Sequence, residues 1–375
     1  MNRIESNNRI RPIAFYLPQF HPIPENDAWW GKGFTEWTNV TKSKPLFKGH
    51  YQPNLPGELG FYDLRLSEVR EQQAALAKEY GVEGFMYWHY WFAGKRLLER
   101  PFQEVLESKK PDFPFCLGWA NETWSGIWHG AKDKILIEQT YPGEKDYEAH
   151  FYAILDAFKD TRYITVEGKP LFFIYRPFNI PDLSFFISIW KKMAIEAGLK
   201  GIYFVGYCCD LGKEYQTLLD LGLDGVFFQR MGEASDLIIR KHFFKRLRRK
   251  LHAMGIDKRY ITRGVIDYGE LIRYLTKPAD CIKNAYPAII PNWDNSPRSG
   301  RNSQIVKNST PELFRKHLRD VFCLLKRKPA EHRIVFIKSW NEWAEGNYLE
   351  PDSRFGRKYL EVLKEEINHF EADGI

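Results

Sequence analysis

The sequence has little cysteine and no stretch with the character of a membrane anchor. Its 375 residues include five cysteines, which are dispersed except for one adjacent pair. An odd, scattered count of this kind argues against a disulfide scaffold and favours a reducing compartment. The N-terminal residues are polar and lack the apolar core of a secretory signal, and no run approaches the roughly 18 apolar residues of a membrane span. We therefore expect a cytoplasmic protein.

Several motifs of cofactor-dependent and nucleotide-dependent enzymes are also absent from the sequence. There is no glycine-rich phosphate loop, no Gly-x-Ser-x-Gly nucleophile elbow and no cluster with the spacing of a zinc site. There is no Asp-x-Asp pair, with which one large class of glycosyltransferases holds a metal ion and a nucleotide. We therefore expect no cofactor and no metal.

The net charge of +7 is concentrated in one basic stretch, residues 240–252. A solvated helix face is the simplest interpretation of this stretch. The functional alternative is peripheral contact with anionic lipid at the inner membrane, or with the phosphates of a lipid-linked substrate. No recognised nucleic-acid motif accompanies the stretch, so nucleic acid is not an expected partner.

Short, nearly continuous apolar runs alternate with helical patterns along the chain. Such runs are typical of parallel strands buried on both faces. The eight runs are 13–17, 84–88, 115–119, 171–175, 202–207, 225–229, 288–292 and 334–337. The helical patterns are 67–80, 147–158, 183–197, 214–221 and 312–325. Eight strands alternating with helices predict an α/β fold of the (β/α)8 TIM-barrel type.

The chain is longer than this barrel needs. Because such barrels use ~250 residues, the surplus predicts insertions after strands 1 and 6, at residues 19–66 and 230–286. We expect a disordered tail at residues 1–10 and a single glycosidase-like catalytic domain at residues 11–375, since no Pro- or Ser-rich linker divides the chain. A doubly wound sheet is the alternative architecture.

Aromatic and polar residues cluster where the predicted strands end, which is where a barrel places its active site. A capping or packing role explains any one strand end, but seven such ends together indicate a polar ligand. Aromatic faces stack on sugar rings, amides bind hydroxyls and acids move protons, so the pattern predicts a carbohydrate site. The candidate substrate-binding residues are Tyr16, Gln19, His21, Tyr87, His89, Trp119, Asn121, Glu122, Trp124, Arg176, Tyr207, Asn292, Asp294, Trp340, Asn341, Trp343 and Tyr348.

Four of these candidates have more than one interpretation. Glu122 is either a third carboxylate for proton transfer or a contact for a sugar hydroxyl. His21 and His89 either bind hydroxyls and tune a carboxylate or belong to the core. Arg176 either holds an anionic sugar or a phosphate, or pairs with a carboxylate of the barrel.

The candidates for catalysis are Glu342 and Glu345, which follow the last strand among tryptophans. Carboxylates are costly to place among aromatic side chains unless something binds or reacts there. On a helical turn, residues three apart have Cβ atoms roughly 5–6 Å apart. This is nearer the ~5–5.5 Å carboxyl separation of retaining glycosidases than the ~6.5–9.5 Å of inverting ones. A helix N-terminus whose acids favour the dipole is the structural alternative.

One segment resembles a known catalytic signature. The sequence Ser-Trp-Asn-Glu-Trp-Ala-Glu-Gly at 339–346, followed by Leu-Glu-Pro at 349–351, resembles that of glycoside hydrolase family 99. The whole chain is more similar to the related WbsX-type family, described as glycosyltransferases of surface-polysaccharide clusters. The further segments that fit this family are 16–21, 31–37, 87–91 and 119–124.

The resemblance implies a (β/α)8 barrel without a required metal. It also implies retaining cleavage of α-mannosidic bonds within chains, through a 1,2-anhydro sugar. Carried over, Glu342 is the base that deprotonates the sugar 2-hydroxyl, and Glu345 is the acid that protonates the leaving oxygen and later activates the acceptor. The chain has Ala344 where family 99 members usually have histidine, so the resemblance does not extend to the sugar subsite at that position.

Three functional hypotheses follow. The first is a retaining glycosidase or transglycosidase acting on an oligosaccharide, a polysaccharide or a lipid-linked glycan, in the building or trimming of a bacterial surface polysaccharide such as lipopolysaccharide O-antigen or capsule. The second is a nucleotide-sugar-dependent glycosyltransferase, for which Glu342 and Glu350 have the spacing of a Glu-x7-Glu motif. The third is a non-catalytic glycan-binding protein, which the presence of both Glu342 and Glu345 disfavours.

Overall fold

The centre of the molecule is a closed barrel of parallel strands. A computed structural model describes residues 9–126, 135–254, 256–257, 260–262 and 264–372. The eight barrel strands, β1 to β8, are Arg11–Tyr16, Gly84–Phe92, Phe115–Trp119, Lys169–Ile174, Tyr203–Cys208, Gly225–Phe228, Ala285–Ile289 and Ile334–Ile337. The predicted TIM-barrel fold is confirmed. Residues 1–8 of the predicted N-terminal tail lie outside the described residues.

Strand β1 closes the barrel because it pairs in parallel with both β2 and β8. Ile13 lies opposite Gly84 on one side and opposite Phe336 on the other. Most residues of the strands are buried, since helices cover the outer face and side chains fill the interior. This double burial explains why the strands read as continuous apolar runs and not as alternating ones.

Four phenylalanines from different strands fill the barrel interior. The ring of Phe15 lies 5.4 Å from that of Phe173, 5.2 Å from that of Phe227 and 5.5 Å from that of Phe336, between centroids. Trp88 packs edge-on against Phe15 at 5.1 Å. This apolar layer supports the aromatic side chains at the C-terminal ends of the strands.

Helices surround the barrel, and each predicted helical pattern corresponds to one of them, with ends shifted by at most three residues. Helices α1 to α13 are Pro24–Trp30, Glu36–Lys42, Ser67–Glu79, Arg100–Ser108, Glu144–Phe158, Leu183–Glu196, Leu211–Asp220, Met231–Lys241, Phe243–Ala253, Tyr268–Leu271, Ser296–Ser299, Pro311–Leu325 and Lys358–Ala372. Short 3-10 helices are Pro177–Asn179, Ile272–Tyr274, Pro278–Asp280, Gly300–Asn302, Ala330–His332 and Trp343–Glu345. Short strands outside the barrel are Lys95–Leu97, Trp124–Ser125, Ile135–Ile137, Thr165–Val166, Val265–Asp267, Trp293–Asp294, Ile305–Lys307, Asn341–Glu342 and Asn347–Tyr348.

Both predicted insertions are present. The chain forms α1 and α2 between β1 and α3, and it forms α8, α9 and α10 between β6 and β7. A third insertion lies between β7 and α12, and the sequence pattern does not predict it. There, Trp293–Asp294 and Ile305–Lys307 form a small sheet with Val265–Asp267, and α11 brings Arg298 to the C-terminal ends of the strands.

Candidate active site

The segment with the two glutamates is a tight hairpin at the C-terminal end of β8. Glu342 ends the strand Asn341–Glu342, and Glu345 ends the 3-10 turn Trp343–Glu345. The chain then pairs back through the antiparallel strand Asn347–Tyr348. The glutamates thus lie on a strand and a 3-10 turn, and not in the first turn of an α-helix.

Gly346 holds this hairpin against the segment that follows β7. Its φ of 53° lies in the left-handed region, which favours glycine. A Cβ at this position would lie 2.7 Å from the carbonyl oxygen and 2.8 Å from the nitrogen of Asp294. A larger residue would therefore push the turn that carries Glu345 away from the segment that carries Arg298.

Hydrogen bonds from two asparagine side chains join neighbouring strand ends. The side-chain oxygen of Asn341 accepts a hydrogen bond from the Leu17 N–H at 2.7 Å, and its Nδ2 donates to the Leu17 carbonyl at 3.1 Å. Asn121 makes the same pair of bonds with the backbone of Arg176, at 2.7 and 2.8 Å. These amides therefore fix the rim on which the site is built.

One partly buried guanidinium contacts both glutamates. Arg298 donates from Nη2 to Oε1 of Glu342 at 2.6 Å and from Nη1 to Oε1 of Glu345 at 2.9 Å. Its Nη2 also lies 3.2 Å from Oε2 of Glu36, on α2. Three segments that are far apart in the sequence therefore meet at a single positive charge, which neutralises each carboxylate only in part.

Burial raises the pKa of Glu342 to about 8. The negative charges of Glu345 and Glu36 act in the same direction, whereas Arg298 and Lys338 oppose it. The loss of hydration thus outweighs the ion pair with Arg298. At neutral pH this carboxyl group therefore favours its protonated form, and after losing the proton it is a stronger base than an ordinary carboxylate.

The glutamates line a cavity of about 560 Å3 at the C-terminal ends of the strands. This volume falls within the ~300–1,000 Å3 of typical small-molecule sites. The charged lining residues are Glu36, Glu122, Arg176, Arg298, Lys338, Glu342 and Glu345. The aromatic lining residues are Trp30, Phe34, Trp88, Tyr90, Trp124, Tyr175, Tyr207 and Trp293. Charges and flat apolar faces therefore border the same space, as recognition of a sugar requires.

A second ion pair lines the cavity beside stacked aromatic rings. Nε of Arg176 donates to Oε1 of Glu122 at 2.6 Å, which is the pairing alternative that the sequence raised for this arginine. The guanidinium lies over the Tyr175 ring at 4.4 Å from its centroid. The rings of Tyr175 and Tyr207 stack at 5.7 Å with an interplanar angle of 6°, so they present a continuous aromatic surface.

Seven of the predicted site residues line this cavity. They are Gln19, Glu122, Trp124, Arg176, Tyr207, Glu342 and Glu345. The structure brings them together from the ends of β1, β3, β4, β5 and β8, because parallel strands in a barrel all end at the same rim. Their contact with a glycan stays a prediction.

The remaining predicted site residues lie outside the cavity lining, in the core or in hydrogen bonds between strand ends. They are Tyr16, His21, Tyr87, His89, Trp119, Asn121, Asn292, Asp294, Trp340, Asn341, Trp343 and Tyr348. Sugar contact stays a prediction for these residues too, and the structure shows other contacts for them.

Several of these side chains point outward from the barrel. Tyr16 donates to Gln73 on α3 at 2.6 Å, and Nε2 of His89 lies 2.9 Å from Nε2 of His150 on α5. Burial lowers the pKa of His89 to about 3, so this ring is uncharged at neutral pH. Successive side chains of a strand alternate between interior and exterior, and residues named from a strand end alone therefore fall on both faces.

Two aromatic residues of the hairpin stack on each other, and one of them bonds to a third glutamate. Trp343 and Tyr348 stack with ring centroids 3.8 Å apart, and Nε1 of Trp343 donates to Glu350 at 2.7 Å. Glu350 is buried, and burial raises its pKa to about 7. Glu350 is not among the residues that line the cavity, so the Glu-x7-Glu spacing does not bring it beside Glu342 there.

Asp294 and Asn292 brace the segment after β7. Asp294 accepts from Nε2 of His50 and from Nε2 of Gln52, both at 2.6 Å, which joins this segment to the first insertion. The backbone oxygen of Asn292 accepts from Nδ2 of Asn347 at 2.7 Å, which joins it to the hairpin. Together these bonds hold α11, and with it Arg298, in place.

Three charged cavity residues were not among the sequence-based candidates: Glu36, Arg298 and Lys338. Lys338 directly follows β8, and attention to every charged residue just after a strand would identify it. Glu36 lies in the family-like segment 31–37, which marks it as a candidate without a role. Arg298 lies in a polar stretch without periodicity, and only the folded chain shows where it points.

Two kinds of feature are absent from the described residues, a metal-binding cluster and a membrane-spanning helix. In that part of the chain, no group of three or more His, Cys, Asp or Glu side chains has the arrangement of a metal site. In the same part, no helix combines the length and the apolar character needed to cross a bilayer.

Comparison with known families identifies the chain. The family model described as Glycosyltransferase WbsX matches residues 12–363. The chain belongs to this family. The uncharacterized protein WxcX of Xanthomonas campestris pv. campestris, in two strains, is 38% identical over 358 residues, which cover 95% of this chain and 49% of that protein. The chain thus spans about half the length of the curated relatives it matches, and WbsX membership places it in a carbohydrate-active family.

Solved structures of glycoside hydrolases have a fold similar to that of this chain. The family 99 endo-alpha-mannosidase from Bacteroides thetaiotaomicron has a TM-score of 0.57 at 14% identity, covering 96% of this chain and 98% of that one. A glycoside hydrolase-like protein has a TM-score of 0.60 at 15% identity, covering 98% and 96%. At these identities the likeness shows the fold. It confirms that this WbsX member has a barrel like that of family 99.

Proposed function

We propose that the chain is a retaining glycosidase or transglycosidase with Glu342 and Glu345 as its catalytic pair. The observation that carries this proposal is the contact of both carboxylates with one guanidinium in an aromatic-lined cavity at the strand ends. A shared cation keeps two carboxylates close, as retaining mechanisms need. Membership in the WbsX family supports a carbohydrate substrate.

The reacting form carries one proton on the two carboxyl groups, and Glu345 holds it. Glu342 is protonated at neutral pH in the ligand-free protein and therefore must first lose its proton to act as a base. In the first step, ionised Glu342 takes the proton of the sugar 2-hydroxyl while that oxygen attacks the anomeric carbon and closes a 1,2-anhydro ring. Glu345 gives its proton to the leaving glycosidic oxygen. In the second step, Glu345 takes a proton from water or from an acceptor hydroxyl, which opens the ring, and Glu342 returns its proton to the 2-oxygen. The side chain of Glu345 is 20% exposed and that of Glu342 is 8% exposed, so the proposed acid is the more accessible to a departing group.

Glu345→Gln tests this assignment. We expect turnover of an oligosaccharide to fall by ~10²–10⁴-fold, because the amide can neither give nor take the proton. Binding of the oligosaccharide, measured by calorimetry, is expected to change little. Glu365→Gln is the matched control, since Glu365 pairs with Arg315 on the surface at 2.6 Å. Unreduced turnover in Glu345→Gln would rule out the proposed role of Glu345.

A nucleotide-sugar-dependent transferase is the second candidate, and the family description favours it. A diphosphate donor needs cations that are free to bind it. Both arginines of the cavity already pair with carboxylates, Arg176 with Glu122 and Arg298 with the catalytic pair. The third cation of the lining is Lys338, and burial lowers its pKa, which disfavours its charged form. This supports the glycosidase or transglycosidase. Incubation with nucleotide sugars and with oligosaccharides separates the two, because acceptor-dependent release of nucleotide would identify the transferase.

We further propose that the substrate is an oligosaccharide, a polysaccharide or a lipid-linked glycan of a bacterial surface polysaccharide. The description of the WbsX family as glycosyltransferases supports a role in building such polymers. The open aromatic surface at Tyr175 and Tyr207 suits successive sugar units of a chain. Trimming and transfer use the same first step and differ in whether water or a sugar hydroxyl opens the ring.

We also propose peripheral contact with an anionic membrane through α9, from the cytoplasmic side. On this helix Phe243 is 63% exposed, Phe244 is 77% exposed and Leu247 is 40% exposed. Arg246 and Lys250 are exposed on the same helix. Exposed apolar side chains among positive charges suit the surface of an anionic bilayer. The side chains at 245 and 249, within the predicted basic stretch 240–252, lie outside the described residues.

Vesicle binding tests this contact. The protein is expected to sediment with phosphatidylglycerol vesicles and not with phosphatidylcholine vesicles, and the paired change Phe243→Ser and Phe244→Ser is expected to abolish sedimentation. Phe178→Ser is the control, because Phe178 is 51% exposed on a different element. Equal binding of both kinds of vesicle, or undiminished binding of the double variant, would contradict the proposal.

A further inference from the structure

A third carboxylate reaches the same cation as the catalytic pair. Glu36 lies on α2, in the insertion after β1, and is only 4% exposed. Its Oε2 lies 3.2 Å from Nη2 of Arg298 and accepts from Nδ2 of Asn39 at 3.3 Å. A buried carboxylate is costly unless it is paired. An uncharged side chain would fill this space equally well, so the charge of Glu36 indicates a function other than packing.

We propose that Glu36 is a positioning residue for the catalytic pair. Glu36 shares the Arg298 guanidinium with Glu342 and Glu345 and thereby sets how much positive charge each of these two carboxylates receives. The inference rests on the function proposed for that pair. Of the three carboxylates, only Glu345 is in contact with Nη1 of Arg298. Nη2 of Arg298 lies 2.6 Å from Glu342 and 3.2 Å from Glu36. Glu36 and Glu342 thus lie against the same nitrogen, Nη2, and compete for its positive charge.

The competition has a definite sign. The negative charge of Glu36 raises the pKa of Glu342 directly, and by drawing on Nη2 it also weakens the support that ionised Glu342 receives from Arg298. The groups that act on Glu342 from the surrounding elements are Glu36 on α2, Tyr90 on β2, Arg298 on α11, Lys338 after β8 and Glu345 on the 3-10 turn. Removing the charge of Glu36 therefore lowers the pKa of Glu342.

The test compares Glu36→Gln with wild type and with Glu25→Gln. Glu25 belongs to the same insertion and pairs with Lys95 at 2.7 Å. The titration of Glu342 is followed in the ligand-free protein by carbon-13 NMR of its carboxyl carbon, assigned through Glu342→Gln. We expect the midpoint to move to lower pH by about one unit or more in Glu36→Gln. We expect no movement in Glu25→Gln.

An unchanged midpoint in folded Glu36→Gln overturns the inference, and so does an equal shift in Glu25→Gln. Glu36→Asp keeps the charge but withdraws it from Arg298, so its midpoint is expected below that of wild type and above that of Glu36→Gln. Should Glu36→Gln fail to fold, a Glu36→Asp midpoint at or above that of wild type overturns the inference.

The titration needs no glycan, which separates this inference from the proposed function. A protein in which the midpoint shifts as expected but which processes no glycan would refute the function and support the positioning role of Glu36. With an active enzyme, the limb of the kcat/KM profile that reports Glu342 is expected to move by the same amount in Glu36→Gln. A purely structural role would change stability without moving that limb.

Discussion

The stability of Glu342→Gln decides whether burial or the ion pair with Arg298 dominates at the site. Burial raises the pKa of Glu342 to about 8, from a usual value of 4.5. Because the folded protein then binds more protons than the unfolded chain between these two values, its free energy of unfolding falls as the pH rises from 4.5 to 8. The stability linked to this group is present below pH 4.5 and is lost by about pH 8.

The difference between the two pKa values of Glu342 sets how much the free energy of unfolding changes. One pKa unit corresponds to ~1.4 kcal/mol, so ionisation linkage at Glu342 lowers wild-type stability by roughly 3 kcal/mol at pH 7 and roughly 5 kcal/mol at pH 9, relative to pH 4. Glutamine keeps the shape and can still accept from Arg298, but it does not ionise. The variant is therefore expected to match wild type near pH 4.5 and to exceed it by ~3 kcal/mol at pH 7.

Scanning calorimetry at one scan rate from pH 4.5 to 9 measures this difference. For 375 residues, an unfolding entropy of ~2.1 cal/mol/K per residue converts ~3 kcal/mol into a Tm increase of about 4 °C at pH 7. Glu366→Gln is the control with the opposite sign. Two arginines, Arg315 and Arg319, hold the pKa of Glu366 below its usual value against the effect of burial, so this variant is expected to lose stability above pH 4.5.

A Tm difference that does not change with pH would refute the reasoning. So would a Glu342→Gln variant that is less stable than wild type at pH 8, since the ion pair with Arg298 would then outweigh burial. The expected outcome, a more stable protein that has lost turnover, is the trade-off of an active site in which charge is buried for function.

Two further variants test the hairpin and the cavity wall. Gly346→Ala is expected to lower the free energy of unfolding by ~2–4 kcal/mol in chemical denaturation, because the added Cβ would lie 2.7 Å from Asp294. Gly356→Ala, at a similar positive φ of 56° but with open space around the Cβ, is expected to cost only the ~1–2 kcal/mol of a positive-φ backbone. Equal losses in the two variants would contradict the steric explanation. Tyr175→Ala is expected to weaken oligosaccharide binding about tenfold in calorimetry, since a lost aromatic contact of ~1.5 kcal/mol corresponds to that factor. The surface variant Tyr152→Ala, at a residue 65% exposed, is expected to leave affinity unchanged, and an equal loss in both would exclude stacking at Tyr175.

The barrel is legible in the sequence because burial on both faces leaves continuous apolar runs. The predicted runs 115–119 and 334–337 match β3 and β8 residue for residue. β7 begins three residues earlier than predicted, at Ala285, because pairing with Val226 on β6 defines that end. Such pairing is a property of the neighbouring strand and leaves no mark on the run itself.

The sequence predicts only part of the candidate site. One reason is that successive side chains of a strand alternate between its two faces. Tyr207 and Arg176 line the cavity, whereas Tyr16 and His89, named on the same grounds, point outward to the helices. A strand end identifies the rim of a barrel, but the face of each side chain depends on register.

The sequence by itself determined the barrel, the rim at which its strands end and the two candidate glutamates at that rim, since each is encoded by local composition and order along the chain. Only the tertiary structure decided what surrounds those glutamates. Arg298 and Glu36 come from insertions without periodicity, and they meet the hairpin because Asp294 is bonded to His50 and Gln52 and packs against Gly346. The protonation of Glu342 depends on that meeting, because a pKa is set by burial and by neighbouring charges in space and not by neighbours in sequence.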